Sequence, residues 1–378
     1  MTHAIHLDWV TSTRSALHQI PELGFDCYLT AAFIEKELKS YGYTPIRMAK
    51  TGVVALKAGK STDALGIRSD MDALPIVEKS GHPTPSLHPG CMHACGHDGH
   101  ITMVLAVAKE LSSLPPLPYT IVFIFQPAEE GPGGAKTMID EGLISRFNLK
   151  AILGLHLFPQ LPEGTFGGKP GAMMALNGEI DVEFLGKSAH AGQPHLGHDA
   201  LLASAHYLSS VQTILSRNVP PLDTAIINFG TIQGGQARNA ISDYVKTTGT
   251  IRAFDIQTYN MIKQRLNEIA QGIKTSLQVS VNTEIRDFYP PVINDLSLFE
   301  QSKEWMKNIT FESIEPLMLS EDFSFYQQEI PGLFLMLGTR NEEKNFIYPL
   351  HHDQFNFDER ALLKGISFLI EACKHYKG

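Results

Sequence analysis

Cysteine is scarce in this chain: Cys27, Cys91, Cys95 and Cys373 are the only four in 378 residues. That is too few to staple a protein of this size, so they read as free thiols or metal ligands rather than a disulfide scaffold. Basic charge is not in excess either. Against 40 Asp+Glu stand 31 Lys+Arg, a formal net charge of −9, which argues against the basic patch that a nucleic-acid surface requires. No apolar run approaches the roughly 20 residues that cross a bilayer, so no membrane association is expected. Met1-Thr2-His3-Ala4-Ile5-His6-Leu7-Asp8 offers no basic segment followed by an apolar core. No secretory signal is therefore expected, and the cytoplasm is the default compartment. Repeats, low-complexity tracts and long linkers are also missing.

Histidine, by contrast, is concentrated. His82, His88, His93, His97 and His100 fall within nineteen residues, with Cys91 and Cys95 interleaved. Gln126-Pro127-Ala128-Glu129-Glu130 follows, then His156 at the end of an apolar run, then His351-His352. Thiolate and imidazole suit zinc, whereas carboxylates add hard oxygen donors that also accept manganese or cobalt.

The first half alternates between two periodicities. Residues 28–41 carry Ala31, Ile34 and Leu38 at helical spacing, and residues 97–113 place His97, His100, Val104, Val107 and Leu111 on one side of a second helix. Residues 63–68, 119–125 and 151–157 read as strands, the last two as continuous apolar runs of the kind buried on both faces. A βαβ order of this kind predicts an α/β fold with a mostly parallel sheet covered by helices. Asp70, Asp72, Glu129-Glu130 and His156 then all fall where strands end. In open α/β sheets the ligand crevice lies at those carboxyl ends, so the scattered polar residues are expected to converge.

Between about 176 and 290 the pattern changes. Strand 178–186, helix 198–217, strands 224–232 and 244–254, helix 256–276 and strand 278–287 give the order β-α-β-β-α-β, the ferredoxin-like arrangement. The expected division is a catalytic domain over 1–176 and 291–378, interrupted by a separate domain over 177–290.

Taken singly, each candidate residue has a plain structural reading. His156 could be a satisfied core histidine, Cys95 a small buried hydrophobe, Glu129-Glu130 a solvated turn, and Asp70 and Asp72 capping or turn residues. His190 and His195 could be surface residues. Their joint placement at equivalent strand ends favours a site. Cys95 and His97 stand at the mouth of a helix, whose N-terminus is expected to lower the thiol pKa. Adjacent Glu129 and Glu130 would point different ways, so one can bind metal while the other faces a substrate as base. A closed structural zinc site has no use for that spare glutamate, which disfavours a non-catalytic, metal-stabilised binding protein.

The segments Arg68-Ser69-Asp70-Met71-Asp72-Ala73-Leu74-Pro75, Met92-His93-Ala94-Cys95-Gly96-His97-Asp98, Gln126-Pro127-Ala128-Glu129-Glu130-Gly131 and Gly154-Leu155-His156 resemble one family. So do Ser188-Ala189-His190-Ala191, Pro194-His195, Gly230-Thr231-Ile232 and Ser320-Glu321-Asp322-Phe323. It is the family of two-metal amidohydrolases that includes hippurate hydrolases, auxin-conjugate hydrolases, N-acetyldiaminopimelate deacetylases and aminoacylase-like carboxypeptidases. The likeness runs along nearly the whole chain. It implies a three-layer catalytic domain and two divalent metal ions per subunit, zinc or manganese, with cobalt or nickel as alternatives. Cys95, His97, Glu130, His156 and His351 would hold them, with His352 as the alternative to His351, and Glu129 would be the general base. Asp70, Asp72 and Asp98 would support these residues. In this family the inserted domain is a lid that also dimerises, so a homodimer or higher homo-oligomer is expected. Its histidine, matched by His190, polarises the scissile carbonyl of a neighbouring subunit's site. Asn239 resembles the residue that holds the substrate carboxylate, and Arg238 beside it could assist. The implied substrate is a small N-acyl amino acid, with a dipeptidase or carboxypeptidase of the same chemistry as the alternative. The stretch Gln212–Asn218 followed by Pro220-Pro221-Leu222-Asp223 resembles the diaminopimelate deacetylase branch. One departure stands out: Asp353 occupies a position where the family usually has proline.

Overall fold

Residues 5–305, 307 and 309–378 are described in the computed structural model; the start of the N-terminal segment read above, residues 1–4, lies outside them. The chain divides into two compact units. One comprises Met1–Gly171, Ile293–Glu315 and Asp322–Gly378, the other Ala172–Val292 with Pro316–Glu321.

The first unit is built on an eight-stranded sheet. In spatial order its strands are Ile46–Met48, Gly52–Lys57, Thr120–Gln126, Ala64–Asp70, Leu149–Pro162, Gly332–Arg340, Phe166–Gly168 and Phe311–Ser313. The four central strands are parallel to one another, while Ile46–Met48 and Gly52–Lys57 form an antiparallel hairpin at one edge. Alternate residues explain the burial. Ile121, Phe123 and Phe125 join Leu65, Ile67, Leu153 and Leu155 in one core with the helices Leu7–His18, Tyr28–Ser40, His97–Ser112 and Arg360–His375. Val122 and Ile124, on the opposite face of the same strand, are equally inaccessible. Coverage of both faces is what selects near-continuous apolar strands.

Strand lengths place the polar residues. Ala64–Asp70 runs parallel to Thr120–Gln126 with Asp70 opposite Gln126, so the turns carrying Asp72 and Glu129 emerge side by side. Here one sequence expectation needs correction: His156 does not end its strand. Leu149–Pro162 continues six residues further because its ladder with Gly332–Arg340 persists to the Pro162–Arg340 pair. Arg68 pairs with Gly154, however, and the neighbouring strand stops at Asp70. His156 therefore stands level with that strand's end, where the long strand overhangs it.

The second unit has the element order strand Leu176–Leu185, helix Ala200–Arg217, strands Ala225–Gly234 and Tyr244–Ala253, helix Ile256–Leu277, strand Ser280–Asp287. Its sheet is antiparallel throughout, with Leu176–Leu185 between Tyr244–Ala253 and Ser280–Asp287. Ile180, Val182 and Phe184 alternate into a core filled by Tyr207, Val211 and Ile214 from one helix and Tyr259, Ile262 and Leu266 from the other. Asp199 caps the first helix by accepting from Leu201 and Leu202 N–H, and Asp255 caps the second by accepting from Thr258 N–H. Residues 316–321, placed by sequence in the returning catalytic segment, group with this unit instead. Leu317 N–H donates to Met173 O and Ala175 N–H to Leu317 O.

Candidate metal centre

Gly96 makes the first pair of candidate ligands possible. With φ +86° it precedes the helix His97–Ser112 and turns the chain so that Cys95 and His97 stand on either side of it. A left-handed conformation here is the ordinary use of glycine. Both residues are buried. His97 Nδ1 lies 2.8 Å from Asp72 O. A carbonyl only accepts, so Nδ1 carries a proton and Nε2 is the ring atom left to face a cation. That Nε2 is buried without a hydrogen-bond partner, 4.0 Å from Glu129 Oε2 and 3.9 Å from Glu130 Oε1.

His156 is prepared in the same way. Its Nδ1 donates to Leu157 O at 2.7 Å, leaving Nε2 3.5 Å from Cys95 Sγ. Burial, aided by neighbouring His100, holds its pKa well below the usual histidine range, so it is a neutral donor. His351 reaches the group from the far end of the chain, in a left-handed conformation at φ +64°, with its N–H bonded to Ala94 O. Its Nε2 is 3.2 Å from Glu130 Oε1, yet that oxygen has no partner in hydrogen-bonding geometry.

Asp72 fixes the glutamates. Its Oδ1 accepts from Glu129 N–H at 2.9 Å and its Oδ2 from Glu130 N–H at 3.1 Å, so its carboxylate holds backbone. Asp70 accepts from His100 Nδ1–H at 2.6 Å and from Arg68 at 2.8 Å. His100 in turn accepts Leu157 N–H on Nε2 at 2.9 Å. Both its nitrogens are engaged, so it positions the His156 segment rather than offering a lone pair. Asp98 points elsewhere, to Arg14 and His18.

The residues fit metal ions. Ligand atoms of Cys95, Glu130 and His351 lie within 4.8 Å of one another, as do those of His97, Glu129 and Glu130. Two of these atoms, His97 Nε2 and Glu130 Oε1, are orphaned and buried, which a cation between them would resolve. The electrostatics agree. Burial works against a charge on His97, but Asp70, Asp72 and Glu130 outweigh it and raise its pKa to about 10: the pocket attracts positive charge. The expectation for Cys95 needs correction. Burial first, then Glu130, Glu129 and Asp70, push its thiol pKa well up rather than down. Burial and the local carboxylates outweigh the helix N-terminus, and a cation in the pocket would favour the thiolate.

The comparisons decide the family. Residues 66–375 match the model of peptidase family M20/M25/M40. The chain belongs to that family. It is 36% identical to the N-acetyldiaminopimelate deacetylase of Shouchella clausii, across 94% of this chain and 95% of that one. It is 36% identical to that of Bacillus cytotoxicus, across 97% of each. Among solved structures it is similar to a dinuclear metal-binding peptidase of the M20 family from Bacillus subtilis, with TM-score 0.86, 29% identity and 97% of each chain covered. A protein assigned as an aminohydrolase from methicillin-resistant Staphylococcus aureus gives TM-score 0.93 at 31% identity, covering 98% of this chain and 97% of that one. This protein is therefore a metal-dependent amidohydrolase, which sets aside the purely structural metal site. Among the described residues no helix is long and apolar enough to cross a membrane.

The remaining sequence candidates lie in the second unit. His190 pairs with Ala240 in a short two-stranded ladder, and Asn239 O accepts Ala191 N–H at 3.0 Å, so His190 and the Arg238-Asn239 turn are neighbours. All three are exposed. His190 Nδ1 accepts Gly192 N–H at 3.0 Å, which puts the proton of the neutral ring on Nε2. Arg14, His18 and Glu78 carry no signal in the sequence, and Arg68 stands out there only as part of the motif over residues 68–75. Each makes at least one contact with a partner 60 to 345 positions away, and no spacing rule connects those pairs.

Proposed function

We propose that this amidohydrolase removes the acyl group from a small N-acyl amino acid, with N-acetyl-diaminopimelate and hippurate-like conjugates as the leading candidates. Glu129 carries the reading. Its backbone is pinned by Asp72, its side chain is buried, and its carboxylate lies beside His97 and Glu130, while Cys95, Glu130 and His351 group without it. Two divalent cations, zinc or manganese with cobalt or nickel as alternatives, held by Cys95, His97, Glu130, His156 and His351, would polarise the scissile carbonyl and acidify a water. Glu129 takes a proton from that water and returns it to the leaving amine. Asp70 and Asp72 would support the ligands through His100 and the Glu129 and Glu130 amides, and Asp98 only indirectly, as the residue next to His97 held by Arg14 and His18.

His190 fits the role of a donor to the developing oxyanion, because Gly192 leaves Nε2–H free to point outward. Asn239, with Arg238 beside it, would hold the substrate carboxylate. We read the segment 177–290 as a ferredoxin-like lid inserted into a three-layer catalytic domain over 1–176 and 291–378, with 316–321 of the returning segment joining the lid. That lid would join two subunits as a homodimer, the core of any higher homo-oligomer, and lend His190 to the neighbouring site. The four cysteines are unpaired, which supports a cytoplasmic location.

The test is Glu129→Gln. It should retain the full metal content and lose at least about a hundredfold in turnover on a panel of acetylated and benzoylated amino acids; near-normal activity overturns the assignment. Mixing His190→Ala with Glu129→Ala protein under subunit exchange should restore part of the activity, and no recovery in proven heterodimers refutes the shared site.

A further inference from the structure

Behind the candidate ligands lies a second buried polar cluster that the reaction does not use. The helix Leu7–His18 brings Arg14 and His18 against Asp98, the residue after His97. His18 Nδ1 is 2.8 Å from Asp98 Oδ2, and His18 Nε2 is 3.0 Å from Glu78 Oε1. The three side chains are almost wholly inaccessible, at 1%, 0% and 8% exposure. An ionised carboxylate only accepts, so a ring between two of them satisfies both contacts only by donating from both nitrogens. Arg14 completes the set with Nε–H to Asp98 at 3.2 Å and further bonds to Asn356, Phe357 O and Glu359.

Glu78 carries the connection onward. Its Oε2 accepts Ser86 N–H at 2.7 Å, shaping the loop that follows. The next residue, Lys79, donates its N–H to Asp353 O at 2.7 Å and its ammonium to the Asp353 carboxylate at 2.6 Å. Asp353 follows His351 by two residues. An unbroken run of bonds thus leads from the helix start bearing His97, through Asp98, His18 and Glu78, to the loop bearing His351.

We propose that His18 is a positioning residue: a doubly protonated imidazole bridging Asp98 and Glu78 that sets the spacing between the Cys95–His97 turn and the His351 loop. The inference rests on reading those residues as metal ligands. Groups that orient ligands without touching the metal commonly change its affinity about 10–100-fold. His18 acts at one remove further, so about tenfold is expected.

The experiment measures the apparent Kd of the purified full chain for Zn²⁺ and Mn²⁺ by competition with a chromophoric chelator. His18→Gln and Glu78→Gln are compared with Leu38→Ala, a core truncation outside the network. Both polar variants should bind about tenfold more weakly at unchanged KM, while Leu38→Ala should lose stability and keep its metal affinity. Glu78→Gln preserves shape at the loop end and decides the matter if His18→Gln does not fold. Unchanged Kd in a folded variant, or a loss matched by Leu38→Ala, overturns the proposal. So does nitrogen NMR of the metal-free chain at pH 7 showing only one protonated ring nitrogen on His18. A parent protein that binds no metal would overturn the ligand reading instead.

Discussion

Replacing Gly96 by alanine tests the site's geometry at its tightest point. Gly96 holds φ +86°, and a Cβ there would lie 2.9 Å from Leu157 Cδ1 and 3.5 Å from Leu157 Cβ and Phe355 Cε1. Leu157 is completely buried, so it cannot swing clear. The left-handed backbone costs an alanine about 1–2 kcal/mol, and forcing a methyl into a packed core adds about 1–3 kcal/mol. A destabilisation of about 2–5 kcal/mol follows, a large share of the roughly 5–15 kcal/mol that holds a domain together. Function should suffer as well. Leu157 O fixes the His156 tautomer and Leu157 N–H holds His100, so displacing Leu157 disturbs His156 while the turn itself moves Cys95 and His97. Tryptophan fluorescence during urea denaturation is the natural assay. Trp9 and Trp305, the chain's only tryptophans, both belong to the first unit, so the signal reports that unit alone. Chelator competition on the same protein gives the metal affinity. Stability within about 0.5 kcal/mol of the parent, together with unchanged metal affinity, would refute the reasoning.

Three further outcomes are expected. Arg68→Met, which strips buried Asp70 and Asp322 of their shared guanidinium, should cost about 3–5 kcal/mol by the same fluorescence assay; a loss below 1 kcal/mol would contradict it. Gly272→Ala should stabilise the second unit by about 0.5–1 kcal/mol, read as slower amide exchange in the helix Ile256–Leu277, because that exposed position has open space for a Cβ. Glu359 should make the first unit acid-sensitive. Burial would raise its pKa, but His82 and Arg14 outweigh that and hold it down to about 2. With the folded value below the ordinary value of about 4.3, its stabilisation is complete above pH 4.3 and is lost as pH falls toward 2. Glu359→Gln should flatten that part of the stability curve, and an identical acid transition would refute the assignment.

Elements with strong periodicity were legible from sequence. The apolar run 119–125 became Thr120–Gln126 and the pattern over 256–276 became Ile256–Leu277, because local spacing alone defines them. The edge hairpin Ile46–Lys57 went unread for a physical reason. Its turn residues Ala49 and Lys50 have φ +48° and +68°, where sequence reasoning looks for Asn-Gly or another glycine. The short motifs around Cys95, Glu129-Glu130 and His351 could be named from chemistry and family likeness. What the aspartates do could not. Asp72 holding two backbone amides, or Asp98 turned toward Arg14, depends on partners brought together by the completed fold. The raised thiol pKa of Cys95 depends likewise on how deeply the fold buries it and how many carboxylates crowd it, quantities that spacing along the chain does not contain.

The strand Gly332–Arg340 lies between Leu149–Pro162 and Phe166–Gly168, which the chain supplies more than 160 positions earlier. During synthesis, those early strands emerge with an open slot in the sheet and an apolar edge that nothing yet pairs. His351, just beyond the late strand, is equally delayed. On the proposed ligand set the metal centre stays incomplete until residue 351 has been made, and a ribosome stalled before residue 332 would present an aggregation-prone edge. Chain order thus acts as a timing device, tying the appearance of hydrolytic activity to closure of the sheet.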